Sequence, residues 1–83
     1  MSMLFFTFRA QLKAQKGVSL LKDQGIPAKM GRTPGMLAVN GCGYGLWIPA
    51  ERGTEARDVL RENELLFEKC YRMDGGRPRE VKL

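Results

Sequence analysis

The sequence predicts an α+β fold, one antiparallel sheet with two helices on a single face, and three observations carry that prediction. Two stretches with helical spacing of apolar residues, 10–24 and 51–64, alternate with short apolar runs of strand length. The runs are rich in aromatic residues, as a half-buried pleated surface requires. Between them stand glycine and proline pairs that stop one element and start the next.

Met3-Leu4-Phe5-Phe6-Thr7-Phe8 carries one polar residue, Thr7, and reads as a strand central in its sheet. From Ala10 to Gln24 the positions Ala10, Ala14, Val18 and Leu21 share one helix face, while lysines and glutamines take the other. Gly17 within this helix either permits close packing or costs about 1 kcal/mol in propensity. Gly25 caps the helix and Pro27 prevents its continuation. Residues 26–32 form a second strand, which a proline at its start assigns to a sheet edge. Tyr44-Gly45-Leu46-Trp47-Ile48 is the third strand, stopped by Pro49. Glu51 and Glu55 suit the positive end of a second helix, and Ala56, Val59 and Leu60 form its inward stripe. Residues 66–73 make the fourth strand, with Phe67, Tyr71 and Met73 on one face and Glu68, Cys70 and Arg72 on the other.

The resulting order, strand-helix-strand-strand-helix-strand, is that of a ferredoxin-like βαββαβ sandwich: a four-stranded antiparallel sheet with both helices on one face. Residues 1–75 constitute a single domain of this kind. Residues 76–83 are a basic C-terminal tail, either disordered or paired as an additional edge strand. Eighty-three residues suffice for one modest core and exclude a second domain.

Composition narrows the function. Hydrophobic residues make up 43% and charged residues 28%, as in ordinary globular chains. The apolar run 3–8 ends at Arg9 and is too short for a signal peptide or membrane span, so the expected location is cytoplasmic. There is no histidine, which removes imidazole catalysis and histidine metal ligation, and no cofactor or metal is expected. Two cysteines without a secretory signal read as free thiols. The net charge of +5 is compatible with nucleic acid, but the basic residues are scattered, as on a solvated surface.

The stretch with chemical promise is the long connection between the second and third strands, residues 33–43, which opens on Thr33-Pro34-Gly35 and ends on Gly41-Cys42-Gly43. Glycine on both sides of Cys42 permits positive φ and close approach to the sulfur; alternatively, Gly41 and Gly43 simply make a turn. With strands in the spatial order four, one, three, two, this loop turns at the end of the sheet where the first helix begins. Unpaired N–H groups and the helix dipole there favour an anion, and Arg9 and Arg32 add positive charge or face solvent. Such a field lowers a thiol pKa. Cys70 reads as a small strand residue, with a resolving thiol as the minor alternative. Strand one separates strands three and four by about 9–10 Å in all, beyond the ~7 Å reach of a disulfide, unless the loop folds back across the sheet.

Phe6-Thr7-Phe8, Ala14 leading to Leu20-Leu21-Lys22, Gly25-Ile26-Pro27, Thr33-Pro34 before Leu37, Cys42-Gly43 and Tyr71-Arg72 together resemble the selenium/sulfur carrier-like family of small bacterial proteins. The resemblance spans residues 5–73. It implies that Cys42 holds sulfur or selenium as a persulfide or selenosulfide, exchanged with donor and acceptor proteins, so that the chain is a carrier rather than a turnover enzyme. Arg9, Arg32, Thr33, Gly41 and Gly43 are the expected substrate-binding positions around it. Gly35 departs from the basic residue that often follows the Thr-Pro pair in the family, which leaves anion contact to Arg32. The segment 36–41 is also apolar and glycine-containing where the family more often has serines.

A different class of function is a binding module. The uncovered sheet face, carrying Phe5, Tyr44 and Tyr71, would stack bases while the basic tail follows phosphates. Gly43-Tyr44-Gly45-Leu46-Trp47 echoes the RNA-recognition pattern without its basic start. The same aromatic residues more often bury a homodimer interface, and a homodimer is the partner most expected. An acylphosphatase-type enzyme shares the topology, but Arg9 lacks a glycine-rich anion loop and Asn40 has no supporting motif.

Overall fold

Met3–Phe8 form β1 at the centre of a five-stranded antiparallel sheet, in a computed structural model that describes residues 2–35, 43–75 and 77–83. The other elements are α1 (Gln11–Asp23), β2 (Lys29–Arg32), β3 (Tyr44–Pro49), a single 3₁₀ turn (Ala50–Arg52), α2 (Gly53–Glu62), β4 (Cys70–Met73) and β5 (Arg79–Val81). Across the sheet they stand β2-β3-β1-β4-β5. The expected order four, one, three, two is present, but the sheet has five strands rather than four. The extra strand is the segment 79–81, which pairs Val81 with Cys70 and Arg79 with Arg72. Beyond it Leu83 packs on the core, and its carbonyl accepts a hydrogen bond from Arg61 Nη2 at 2.9 Å.

β1 is central because every residue from Leu4 to Phe8 is buried. Its register with β3, Leu4 to Ile48 and Phe6 to Leu46, sends Leu4, Phe6, Phe8, Leu46 and Ile48 to one face. There they meet Ala14 and Leu21 of α1, Ala56 and Leu60 of α2, Ile26 and Cys70 in one apolar core. The other face carries Met3, Phe5 and Thr7 of β1 with Gly45 and Trp47 of β3 and Tyr71 and Met73 of β4.

Two side chains expected on that second face lie on the helix side. Tyr44 pairs with Phe8 and packs against the core. Phe67 precedes β4, which begins at Cys70 rather than Leu66, and its ring meets Phe6 edge-on at 4.6 Å. The late start of β4 has a local cause. Glu68 and Lys69 both oppose Thr7: Glu68 N–H donates to the Thr7 carbonyl and Thr7 N–H to the Lys69 carbonyl, each at 2.8 Å. Two residues against one make a bulge that ends regular pairing.

Gly17 permits close packing, since a Cβ there would stand 2.9 Å from Leu46 Cδ1 and 3.4 Å from Leu60 Cδ2. α1 closes with a Schellman motif: Gly25, at φ +75°, donates to the Lys22 carbonyl, and Ile26 N–H donates to that of Leu21. Leu21 and Ile26, both buried, supply the apolar contact that accompanies the motif. Arg52 ties this corner to the second helix, gripping Glu55 with Nε and Nη2 at 2.7 and 3.1 Å while Nη2 reaches the Gly25 carbonyl at 3.4 Å.

α2 ends the same way, with Leu65 N–H on the Leu60 carbonyl and Glu64 N–H on that of Arg61, but the left-handed position is Glu64 at φ 59°. A side chain there is strained by roughly 1–2 kcal/mol, partly offset by the backbone entropy that glycine would lose. Glu64→Gly is therefore expected to raise stability by about 0.5–1 kcal/mol, read as a higher urea midpoint at unchanged m-value.

Candidate functional site

The described residues on either side of 36–42 are held at one end of the sheet. Arg32, Tyr44 and Phe8 stand side by side on β2, β3 and β1. One step further, Thr33 N–H donates to the Gly43 carbonyl at 3.0 Å, so the hairpin ladder continues to the residue next to Cys42. Gly41 and Cys42 lie outside the described residues. Gly43 is exposed, and no atom of the described residues lies within 4 Å of where a Cβ on it would stand. Thr33 is 8% exposed, and its hydroxyl has no hydrogen-bond partner among the described residues. A buried hydroxyl in that state calls for an explanation, such as a ligand or a reacting group.

The same end carries the start of α1. Ala10 occupies the N-cap in extended backbone without a side-chain hydrogen bond, and no acidic residue stands in the first turn. The unpaired N–H groups at the N-terminus of α1 and its dipole are thus uncompensated by a carboxylate of their own helix. Arg9, immediately before it, pairs with Glu68, Nε to Oε1 at 2.9 Å. Glu68 is a residue that spacing along the chain did not connect with this region, because the bulge opposite Thr7 is what brings it there. Arg32 is exposed.

Thr7 is the other residue whose role became visible only in three dimensions. It is 2% exposed; its Oγ1 accepts from Lys69 N–H at 3.0 Å and donates to the Lys69 carbonyl at 3.3 Å. The hydroxyl thereby staples the strand that precedes Arg9 to the segment that presents Glu68. Its signal in the sequence was the lone polar residue of an apolar strand.

Cys70 is a free thiol, 1% exposed, facing the helices. Burial pushes its pKa up to about 12, because the thiolate would lose its hydration in an apolar core. Among the described residues no cluster of three His, Cys, Asp or Glu offers a metal site, and no helix is long and apolar enough to cross a membrane.

Residues 3–72 match the family model described as "Putative Se/S carrier protein-like". The chain belongs to this family. The match runs from β1 to the third residue of β4 and includes the 33–43 connection with Cys42-Gly43, leaving β5 beyond its end. No curated protein and no solved structure matches the chain. For this Se/S carrier-like protein, the five expected contact positions therefore stand as follows. Arg32, Thr33 and Gly43 share one sheet end, Arg9 follows β1 at that same end and pairs with Glu68, and Gly41 is outside the described residues.

Proposed function

We propose that the protein carries sulfur or selenium on Cys42. The observation that supports this most is that the family match runs through Cys42-Gly43 while the other cysteine, Cys70, is sealed in the core. In the loading step the Cys42 thiolate attacks the outer sulfur of a donor persulfide, R–S–SH. A new S–S bond forms to Cys42, the donor S–S bond breaks, and the donor leaves as R–S⁻ while the proton stays on the transferred sulfur. Transfer to an acceptor thiolate is the same exchange in reverse, and a donor selenosulfide follows the same balance. No external oxidant or reductant is needed.

The surroundings suit this step. The uncapped α1 N-terminus and Arg32 favour an anion, Arg9 is tempered by Glu68, and the unpartnered Thr33 hydroxyl is available as a donor. Gly41 and Gly43 leave room for a partner's sulfur to approach Cys42. The partners implied are donor and acceptor proteins with reactive thiols. A ferredoxin-like scaffold extended by β5 holds the residues that flank 36–42.

The test is the pH dependence of alkylation, followed by mass spectrometry at each cysteine of the folded protein. Cys42 is expected to react as a thiolate well below the ordinary thiol value of about 8.5, and to gain one sulfur from a small persulfide. Cys70 is expected to stay unmodified until the protein unfolds. Alkylation of Cys42 that follows an ordinary free thiol, with no sulfur gained, ends the carrier reading.

A further inference from the structure

The net charge of the chain sits in its first part. Residues 1–32, which make β1, α1 and β2, contain six basic residues, Arg9, Lys13, Lys16, Lys22, Lys29 and Arg32, against one acidic residue, Asp23. Residues 33–83 contain eight of each sign and are neutral. The fold turns this imbalance along the chain into one in space. β1 is buried at the centre of the sheet, so the cations stand mainly on α1 and on β2, the outermost strand, against which α1 packs. Lys13, Lys16, Lys22, Lys29 and Arg32 are all exposed, and among the described residues none of them makes an ion pair. Residues 36–42 contain no acid that could answer them, and Glu55, Asp58, Glu68, Asp74 and Glu80 each hold a cation outside α1 and β2.

Exposed apolar surface falls on the same side. Ala14, Gly17 and Leu21 turn inward from α1, which leaves Leu12, Lys16 and Ser19 on its outward face at spacings of four and three. Leu12 is 70% exposed. It stands in the first turn of α1, next to Lys13 and one turn from Lys16, at the sheet end that holds Arg32, Thr33 and Gly43.

We propose that this face of α1 and β2 docks the proteins that exchange sulfur or selenium with Cys42, and that those partners carry carboxylates around their own reactive thiol. The inference rests on the carrier reading and adds the chemistry of the partner to it. Leu12 with Lys13 and Lys16 has the layout of a protein interface, an apolar centre with a charged rim. The uncompensated cations attract an acidic partner and repel a basic one. Neither α1 nor β2 contains an aromatic residue, so the face offers no ring on which a nucleic-acid base could stack. A partner seated there has its thiol at the sheet end where Thr33 and Gly43 flank the segment that contains Cys42.

The test is the rate of thiol–disulfide exchange at Cys42 in the whole chain, using probes whose single thiol is held as a disulfide with an aryl thiol. Attack by the Cys42 thiolate on the probe's own sulfur forms a protein–probe disulfide and releases the aryl thiolate, whose absorbance gives the rate. The probes are a glutamate-rich peptide with one leucine, its lysine-rich counterpart, and uncharged mercaptoethanol, which corrects for the thiolate fraction of Cys42. After that correction the glutamate peptide is expected to react at least about tenfold faster than the lysine peptide at low salt, and to lose most of that lead at roughly 0.5 M salt. Lys13→Glu combined with Lys16→Glu is expected to abolish or invert the preference. Arg77→Glu combined with Lys82→Glu changes the net charge equally, on either side of β5 at the opposite edge of the sheet, and is expected to preserve it. Equal losses in the two double variants overturn the proposal, since net charge alone then explains the preference. An oligonucleotide bearing the same disulfide that outpaces the glutamate peptide at equal charge also overturns it, by assigning the face to nucleic acid. A mercaptoethanol probe that fails to react with Cys42 ends the carrier reading and this proposal with it. If that probe reacts and the two peptides do not differ, the docking face alone is lost.

Discussion

Gly45→Ala is expected to lower stability by about 2–3 kcal/mol, the range of a methyl group forced into a filled site with no room to yield. A Cβ at this position would stand 2.5 Å from Phe5 Cζ and 2.5 Å from the Phe6 carbonyl oxygen. The carbonyl belongs to the central strand and cannot retreat without breaking its ladder, and the Phe5 ring is fully buried. Urea unfolding checks this as a fall in midpoint. Gly35→Ala is the control: among the described residues nothing lies within 4 Å of its added Cβ and its φ is not positive, so its midpoint is expected to hold or to rise slightly. Equal losses at both positions would refute the steric account. Gly45 could not be singled out beforehand, because its neighbours Gly41 and Gly43 read the same way in sequence.

Thr7→Val carries the second large effect. The exchange keeps the shape and removes the hydroxyl, so Lys69 loses both the acceptor for its N–H and a donor to its carbonyl. A loss of about 1–2 kcal/mol is expected for these part-buried groups. Thr7→Ser, which keeps the hydroxyl, is expected to lose less. Hydrogen exchange locates the effect: the Glu68 and Lys69 amides should exchange faster in the valine variant than in the serine variant. Since Glu68 is the partner of Arg9, loosening this corner is also expected to shift the alkylation profile of Cys42, without making Cys70 reactive.

Much of the framework was legible from single stretches of chain. The apolar run 3–8 announced a central strand, and the spacing of Ala14 and Leu21 announced a helix face. Gly25-Ile26 announced the helix stop, because only a glycine-like backbone closes a Schellman motif without strain. The equivalent stop at Glu64 was hidden, since a glutamate carries no such signal and adopts the conformation only because Leu65 and Leu60 are held together from outside. β5 was hidden too: three residues, two of them charged, have no usable period, and they form a strand only because β4 offers a free edge.

The candidate site divides in the same way. Cys42-Gly43 and Arg32-Thr33 stood out as neighbours in sequence, and the strand order predicted from element order placed their ends beside the start of α1. The ion pair of Arg9 with Glu68, the unpartnered Thr33 hydroxyl and the face occupied by Tyr44 did not follow from local pattern. Each depends on which residue stands across the sheet, and a shift of one position reverses the face. By itself, then, the chain determined its two helices, four of its strands, their order and its family, since periodicity, caps and motifs are properties of neighbours along the backbone. Only the tertiary structure decided the fifth strand, the burial of Cys70 and the pairing of Arg9 with Glu68, because register and burial are properties of residues far apart in the chain that packing brings into contact.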